Sequence, residues 1–196
     1  YDLLDEAERL VFRRLGVFGG SASLEACEAI CAGGVVRPKD VLDLLTRLVH
    51  QSLVVVDERG SAARYRLLDP VRRFALERLT DPGELGEARV RHASHFLRLT
   101  EKLAPRLQGP HRAATMELLD EEHDNLRTAW DHAAEAGDDA ALARLARRLF
   151  RFWNFGGHFE EGRRRTEDAL ERIGPTGPAD PDLLWASGWT RPAGGI

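Results

Sequence analysis

The apolar residues of the first 80 positions change period partway along, and this change limits the fold more than any other feature of the 196-residue chain. Leu3, Leu4, Ala7, Leu10, Val11 and Leu15 recur at helical spacing, with Asp5, Glu6 and Glu8 in the first turns and Gly16 as a stop. Ser23 stands where it can cap a second short helix from Leu24 to about Cys31, closed by Gly33-Gly34. Asp40 is placed to cap a third, with Val41, Leu42, Leu44, Leu45, Leu48 and Val49 on its buried side. The β-branched run Leu53-Val54-Val55-Val56 follows. Asp57-Glu58-Arg59-Gly60 has turn chemistry, and Tyr65-Arg66-Leu67 reads as the returning strand. Helix, helix, helix and hairpin is the element order of a winged helix, predicted over residues 1–80.

Beyond it the chain reads as helical throughout. Asp69-Pro70 predicts a capped helix start with Val71, Phe74, Ala75 and Leu79 on its buried edge, and Asp81-Pro82-Gly83 predicts a domain boundary. Helices are expected at roughly 84–104, 111–136, 139–154 and 159–173, broken at Gly109-Pro110, Gly137-Asp138 and Gly156-Gly157. Long helices joined by short turns pack antiparallel, so residues 84–173 should form stacked helical hairpins. Phe150, Trp153, Phe155 and Phe159 are expected to make a buried joint beside Gly156-Gly157. Residues 174–196, rich in Pro and Gly, read as a truncated repeat or a tail. Its Leu183, Leu184, Trp185 and Trp189 should be hidden by folding back or by pairing with another copy.

Composition removes several function classes. The longest apolar runs, such as Leu53–Val56, are far too short for a bilayer, and the amino terminus lacks a signal peptide's layout, so a cytoplasmic protein without membrane contact is expected. The start at Tyr1 instead of Met suggests a piece of something longer. Cys27 and Cys31 cannot make a disulfide framework; four apart on one helix, they are expected to pack in the core and not to hold a metal. The net charge of −4 exerts no general pull on nucleic acid, and residues 1–80 balance 12 basic against 12 acidic side chains.

The chemistry-bearing motifs are sparse. No glycine-rich stretch is followed by the lysine of a phosphate loop, which excludes a nucleotide-hydrolysing site built from that motif. His123-Asp124, beside Glu121 and Glu122, could begin a metal-hydrolase site, but His111 and His132 do not complete a ligand spacing. The chain is therefore expected to be no enzyme, with no metal and no cofactor. Arg144, Arg147, Arg148 and Arg151 share a helix face, and Arg163-Arg164-Arg165 follow. They could hold phosphates, but Glu160, Glu161, Glu167 and Asp168 nearby in sequence make solvated ion pairs the expected role. The third helix offers Asp40, Asp43, Thr46, Arg47, His50 and Gln51 on its polar side, a poor set for reading base edges, so specific DNA binding is not expected.

Three phrases carry a family resemblance: Leu3-Leu4-Asp5-Glu6-Ala7-Glu8-Arg9, then Leu48 to Val56, then Tyr65-Arg66-Leu67-Leu68-Asp69-Pro70-Val71-Arg72-Arg73-Phe74-Ala75. They resemble the winged-helix part that follows the nucleotide-binding domain in bacterial NB-ARC (STAND) signal-transduction ATPases, the regulators of AfsR/SARP and large LuxR-like type. Glu122-His123-Asp124-Asn125-Leu126-Arg127, and Phe152-Trp153 through Gly157-His158-Phe159-Glu160-Glu161-Gly162-Arg163, are similar to the tetratricopeptide-like helices that follow there. In that repeat pattern Leu149, Trp153, Gly157, Phe159, Ala169 and Leu170 fit, while Phe150 and Gly162 depart from it.

The resemblance, over about residues 3–175, implies a mainly α fold: a winged helix followed by antiparallel tetratricopeptide-like hairpins. It implies a non-catalytic relay between a nucleotide switch and a helical sensor. The partners would be an adjacent nucleotide-binding domain and further repeats, with self-association as another. A Met-His-Asp motif of the family falls on Leu67-Leu68-Asp69, with Leu68 in place of the phosphate-touching His. Leu67, Leu68, Asp69 and Arg72 are thus the candidate inter-domain switch, and Arg144, Arg148, Trp153 and Phe159 the candidate interaction face. The alternative is a stand-alone winged-helix DNA-binding transcription factor with a helical dimerisation half.

Overall fold

A computed structural model describes residues 1–57 and 62–173. The chain divides into two compact units: Tyr1–Phe96 with Glu122–Ala129, and Leu97–Glu121 with Trp130–Ile196. Besides the winged-helix residues, the first unit takes in much of the next helix and a short later segment.

In the first unit, α1 (Glu6–Leu15) starts at Asp5, whose carboxylate accepts from Glu8 N while Glu8 reaches back to Asp5 N at 2.9 Å, a complete capping box. Leu3, expected on the buried stripe, lies before this cap and is exposed. β1 (Ala22–Ser23) leads into α2 (Leu24–Cys31), which Ser23 caps as expected by accepting from Ala26 N. Gly33 and Gly34 both take positive φ after α2, which lets the chain reverse. Arg14, buried, donates to the carbonyls of Cys31 and Ala32 at 2.9 and 3.0 Å, satisfying groups the helix end leaves open.

A 3-10 turn at Pro38–Asp40 precedes α3 (Val41–His50). Asp40 stands at the N-cap position of α3 as expected, but its side chain makes no capping bond: the carboxylate is held by Arg37 at 2.6 Å, which pulls its pKa below the ordinary value. Val41, Leu44, Leu45 and Leu48 are buried, but Leu42 faces outward, one position off the apolar stripe.

β2 (Val55–Asp57) and β3 (Arg64–Arg66) pair antiparallel, and β1 joins on the other edge of β3, giving the order β1-β3-β2. The strand β1 was not foreseen, because a two-residue segment carries no alternation to read. Of the expected turn Asp57-Glu58-Arg59-Gly60, residues 58–60 lie outside the described residues.

α4 (Asp69–Arg78) begins one residue earlier than expected. Leu68, extended at φ −68° and ψ 149°, is its cap residue, and Asp69 makes no side-chain capping bond. The Asp69 carboxylate is instead a first-turn charge that complements the helix dipole. Phe74 packs on Phe12 and Tyr1, with ring centroids 6.2 and 5.7 Å away, which fixes α4 on α1. α5 (Pro82–Leu103) adds His92 and Phe96, both fully buried, against Phe18.

The second unit has a 3-10 turn at Ala104–Gln108, α6 (Arg112–Glu121), the end of α7 (His123–Glu135), α8 (Asp139–Phe155) and α9 (Phe159–Ile173). The single helix expected over 111–136 is in fact two, interrupted at Glu122. α8 starts on Asp138, which accepts from Ala141 N, and runs to Gly156, after which Gly157 takes φ +81°. α9 then packs on α8, closely enough that a Cβ on Gly162 would lie 2.7 Å from Trp153 Cβ.

The core of this unit is Leu142, Leu145, Leu149, Phe152, Trp153, Trp130 and Ala169. Of the four aromatic residues expected at the joint, Trp153 is buried against Trp130 at a centroid distance of 6.1 Å and Phe150 is half-buried. Phe155 and Phe159 are 50% and 54% exposed, and the buried layer is filled instead by Leu149, Phe152 and Trp153. Leu183, Leu184, Trp185 and Trp189, for which burial was expected, lie outside the described residues.

Candidate functional site

A winged helix meets its partners chiefly through its third helix and its hairpin. The outward face of α3 presents Leu42, Asp43, Thr46, Arg47, His50 and Gln51. Arg47 lies 3.5 Å from Asp5 and 3.9 Å from Glu8. The Thr46 hydroxyl donates back to Leu42 O at 2.8 Å. With Asp43 on the same face, little remains to donate to a guanine edge or to grip a phosphate.

The hairpin's Arg64 is anchored inward. It donates to Glu122 Oε1 at 2.8 Å, to Ser21 Oγ at 2.8 Å and to Ser21 O at 2.9 Å. Asn125 completes this network: its Nδ2 donates to Ser21 O at 2.7 Å and to Glu122 Oε2 at 2.9 Å, and its Oδ1 accepts from the N–H of Gly19 and Gly20. These groups are largely buried and mutually satisfied, so they fix one geometry for the loop before β1, the strand β3 and the start of α7. The sequence reading placed Glu122 and Asn125 among the helical repeats. Both are instead buried in the first unit, Glu122 at the break before α7 and Asn125 in its first turn.

The candidate switch residues all follow β3 and differ in exposure. Leu67 is buried in the first unit, Leu68 and Asp69 are exposed, and Arg72 is half-buried. Leu68 and Asp69 therefore form an outward corner where the strand turns into α4, open to a partner surface. His123 opens α7, and Asp124 beside it is exposed with its carboxylate 3.5 Å from Arg127. Cys27 and Cys31 are buried free thiols, as expected for core packing. Burial pushes the Cys31 thiol up to about 12.

The candidate interaction face in the second unit does not hold together as one surface. Arg144 is exposed and bound to Glu101 at 2.6 Å, Arg148 is half-buried, Phe159 is exposed, and Trp153 belongs to the core. Four acidic residues of α9 pair with arginines of α9 itself: Glu160 and Glu167 with Arg163, Glu161 with Arg165, Asp168 with Arg172.

Residues 4–80 match the family model of a winged helix-turn-helix domain. With the three helices, the small sheet and its hairpin observed, this part of the chain is a winged helix-turn-helix domain. The chain is 39% identical over 160 residues to proteins named "Putative HTH-type transcriptional regulator" Rv0890c of Mycobacterium tuberculosis (strain H37Rv) and Mb0914c of Mycobacterium bovis. That alignment covers 82% of this chain and 18% of theirs, so the chain spans less than a fifth of these curated relatives. It is also 35% identical over 95 residues to the uncharacterized protein Rv0894 of M. tuberculosis, across 48% of this chain and 24% of that one. No solved structure matches the chain. Among the described residues, no helix is long and apolar enough to cross a membrane.

Proposed function

We propose that the chain is the winged-helix and adjoining helical part of a longer transcriptional regulator, and that its winged helix contacts protein instead of reading base sequence. The observation that carries this is the chemistry of α3, where Arg47 is engaged by Asp5 and Glu8 and shares its face with Asp43. Leu68 and Asp69, exposed at the outward corner, supply an apolar and an acidic contact for a neighbouring domain. By its resemblance to STAND regulators, that neighbour is a nucleotide-binding domain. The helical part, read as tetratricopeptide-like, continues toward further repeats, and the winged helix relays between them by packing differently in two states. The chain itself is non-catalytic and acts in the cytoplasm.

A second reading is favoured by the names of the relatives, which speak for an HTH-type regulator more directly than for an ATPase relay. In it the winged helix binds DNA itself. Selection of bound duplexes from a random pool separates the two: a recovered consensus supports DNA reading, and recovery of none supports the relay.

A further inference from the structure

The capping box at the start of α1 uses one oxygen of each of its carboxylates. Asp5 Oδ1 accepts from Glu8 N at 2.8 Å, and Glu8 Oε2 accepts from Asp5 N at 2.9 Å. The second oxygens, Asp5 Oδ2 and Glu8 Oε1, both face Arg47 Nη1 on α3, at 3.5 and 3.9 Å.

The two sides of this contact differ in freedom. The cap bonds fix both carboxylates, and the Glu8 side chain is only 8% exposed. The Arg47 side chain is 58% exposed and lies farther from the carboxylates than either cap bond is long. Exposed ion pairs of this kind are weak, and a guanidinium also fits phosphate oxygens with paired, charge-assisted bonds, so a phosphate competes for the same group. A duplex that approaches Arg47, however, also meets two fixed negative charges beside it.

We propose that the capping box of α1 masks Arg47 as a phosphate contact. Its two carboxylates keep this guanidinium from the backbone of duplex DNA, and neutralising them releases it for one contact that is independent of sequence. The inference rests on the reading above, in which α3 does not read bases, and adds the ligand class that this helix takes once unmasked.

Amides in place of the acids remove the mask and keep the helix start, because Asn caps a helix as well as Asp and Gln serves at the third position of a capping box. In Asp5→Asn/Glu8→Gln the amide oxygens take the two cap bonds, and the NH2 groups turn toward Arg47, which then meets two donors in place of two acceptors.

Anisotropy titrations of the full chain with a fluorescent duplex of scrambled sequence, repeated over a range of salt concentrations, test the proposal. Asp5→Asn/Glu8→Gln should bind about threefold tighter or more than the parent, and its logarithmic salt slope should steepen by about one. Adding Arg47→Gln should remove both gains. Unchanged affinity in the folded double variant would overturn the mask. So would a gain that survives Arg47→Gln, since the lost charges alone would then explain it. Should the double variant fail to fold, Asp5→Asn alone, at an exposed side chain, should shift affinity in the same direction, and no shift there would equally overturn the mask. Sequence selectivity of the parent chain is a separate readout, which tests the reading above.

Discussion

Arg64 donates to Glu122 across 2.8 Å although 58 residues separate the two in the chain, and both side chains are about nine-tenths buried, at 12% and 9% exposure. This pair, with Asn125, holds the hairpin strand, the loop at Ser21 and the start of α7 in one arrangement. Whatever the winged helix contacts, it does so with its wing root fixed from inside.

Removing the carboxylate should therefore be costly. Glu122→Ala takes the carboxylate from the buried Arg64 guanidinium, and a loss of about 3 kcal/mol is expected, at the lower end of what breaking a buried pair costs. Equilibrium urea denaturation measures it. A loss near zero would mean that water reaches Arg64.

Two glycines should respond to alanine in opposite directions. A Cβ at Gly162 would meet Trp153 Cβ at 2.7 Å and Cγ at 2.9 Å, so Gly162→Ala should destabilise by about 1–3 kcal/mol through overpacking. Gly86 lies within α5 with nothing inside 4 Å of an added Cβ, so Gly86→Ala should stabilise by roughly 0.5–1 kcal/mol. Thermal denaturation of the two variants beside the parent checks both signs.

Trp153 and Phe155 should also differ, although only two positions separate them. Trp153→Ala empties a buried site and should cost about 3–5 kcal/mol. Phe155→Ala loses an exposed ring whose partner is the Arg112 guanidinium at 4.5 Å, a contact worth about 0.5–1 kcal/mol. Equal losses would mean that the α8–α9 layer is packed otherwise.

Alkaline pH should weaken the fold through Cys31. Burial raises its pKa from 9.0 to about 12, so the folded chain keeps a proton that the unfolded chain releases. The thiol's contribution is complete below pH 9 and is lost as pH rises from about 9 to 12, at up to roughly 1.4 kcal/mol per pH unit. Cys31→Ala should flatten the stability profile in that window. A parallel profile would place the loss on other groups.

How far these features were legible in the sequence depended on how local their causes are. Ser23 and Gly16 mark their helix ends through bonds within a few residues, and the helix–helix–helix–hairpin order followed from the change of period. The interruption at Glu122 was hidden, because nothing in the spacing of Leu119 and Leu126 betrays it and the partner of Glu122, Arg64, is far away in sequence. Asp40 and Asp69 show the same limit on a smaller scale: an aspartate before a helix can cap it, but Arg37 takes one carboxylate and the extended Leu68 moves the start of α4 past the other. On α8 the expectation buried Phe155, whereas Phe152, three positions earlier, is the ring that is buried. At the candidate site, the poor reading chemistry of α3 was visible from its residue types.

The central claim is that the winged helix does not read base sequence. Its most direct test is repeated selection of duplexes bound by the chain from a random pool at physiological salt, with the affinity of each enriched sequence measured against a scrambled competitor. The expected result is no consensus, and weak, equal binding that falls with added salt. A consensus bound at least about a hundredfold tighter than the scrambled duplex, and lost in Arg47→Ala, would contradict it.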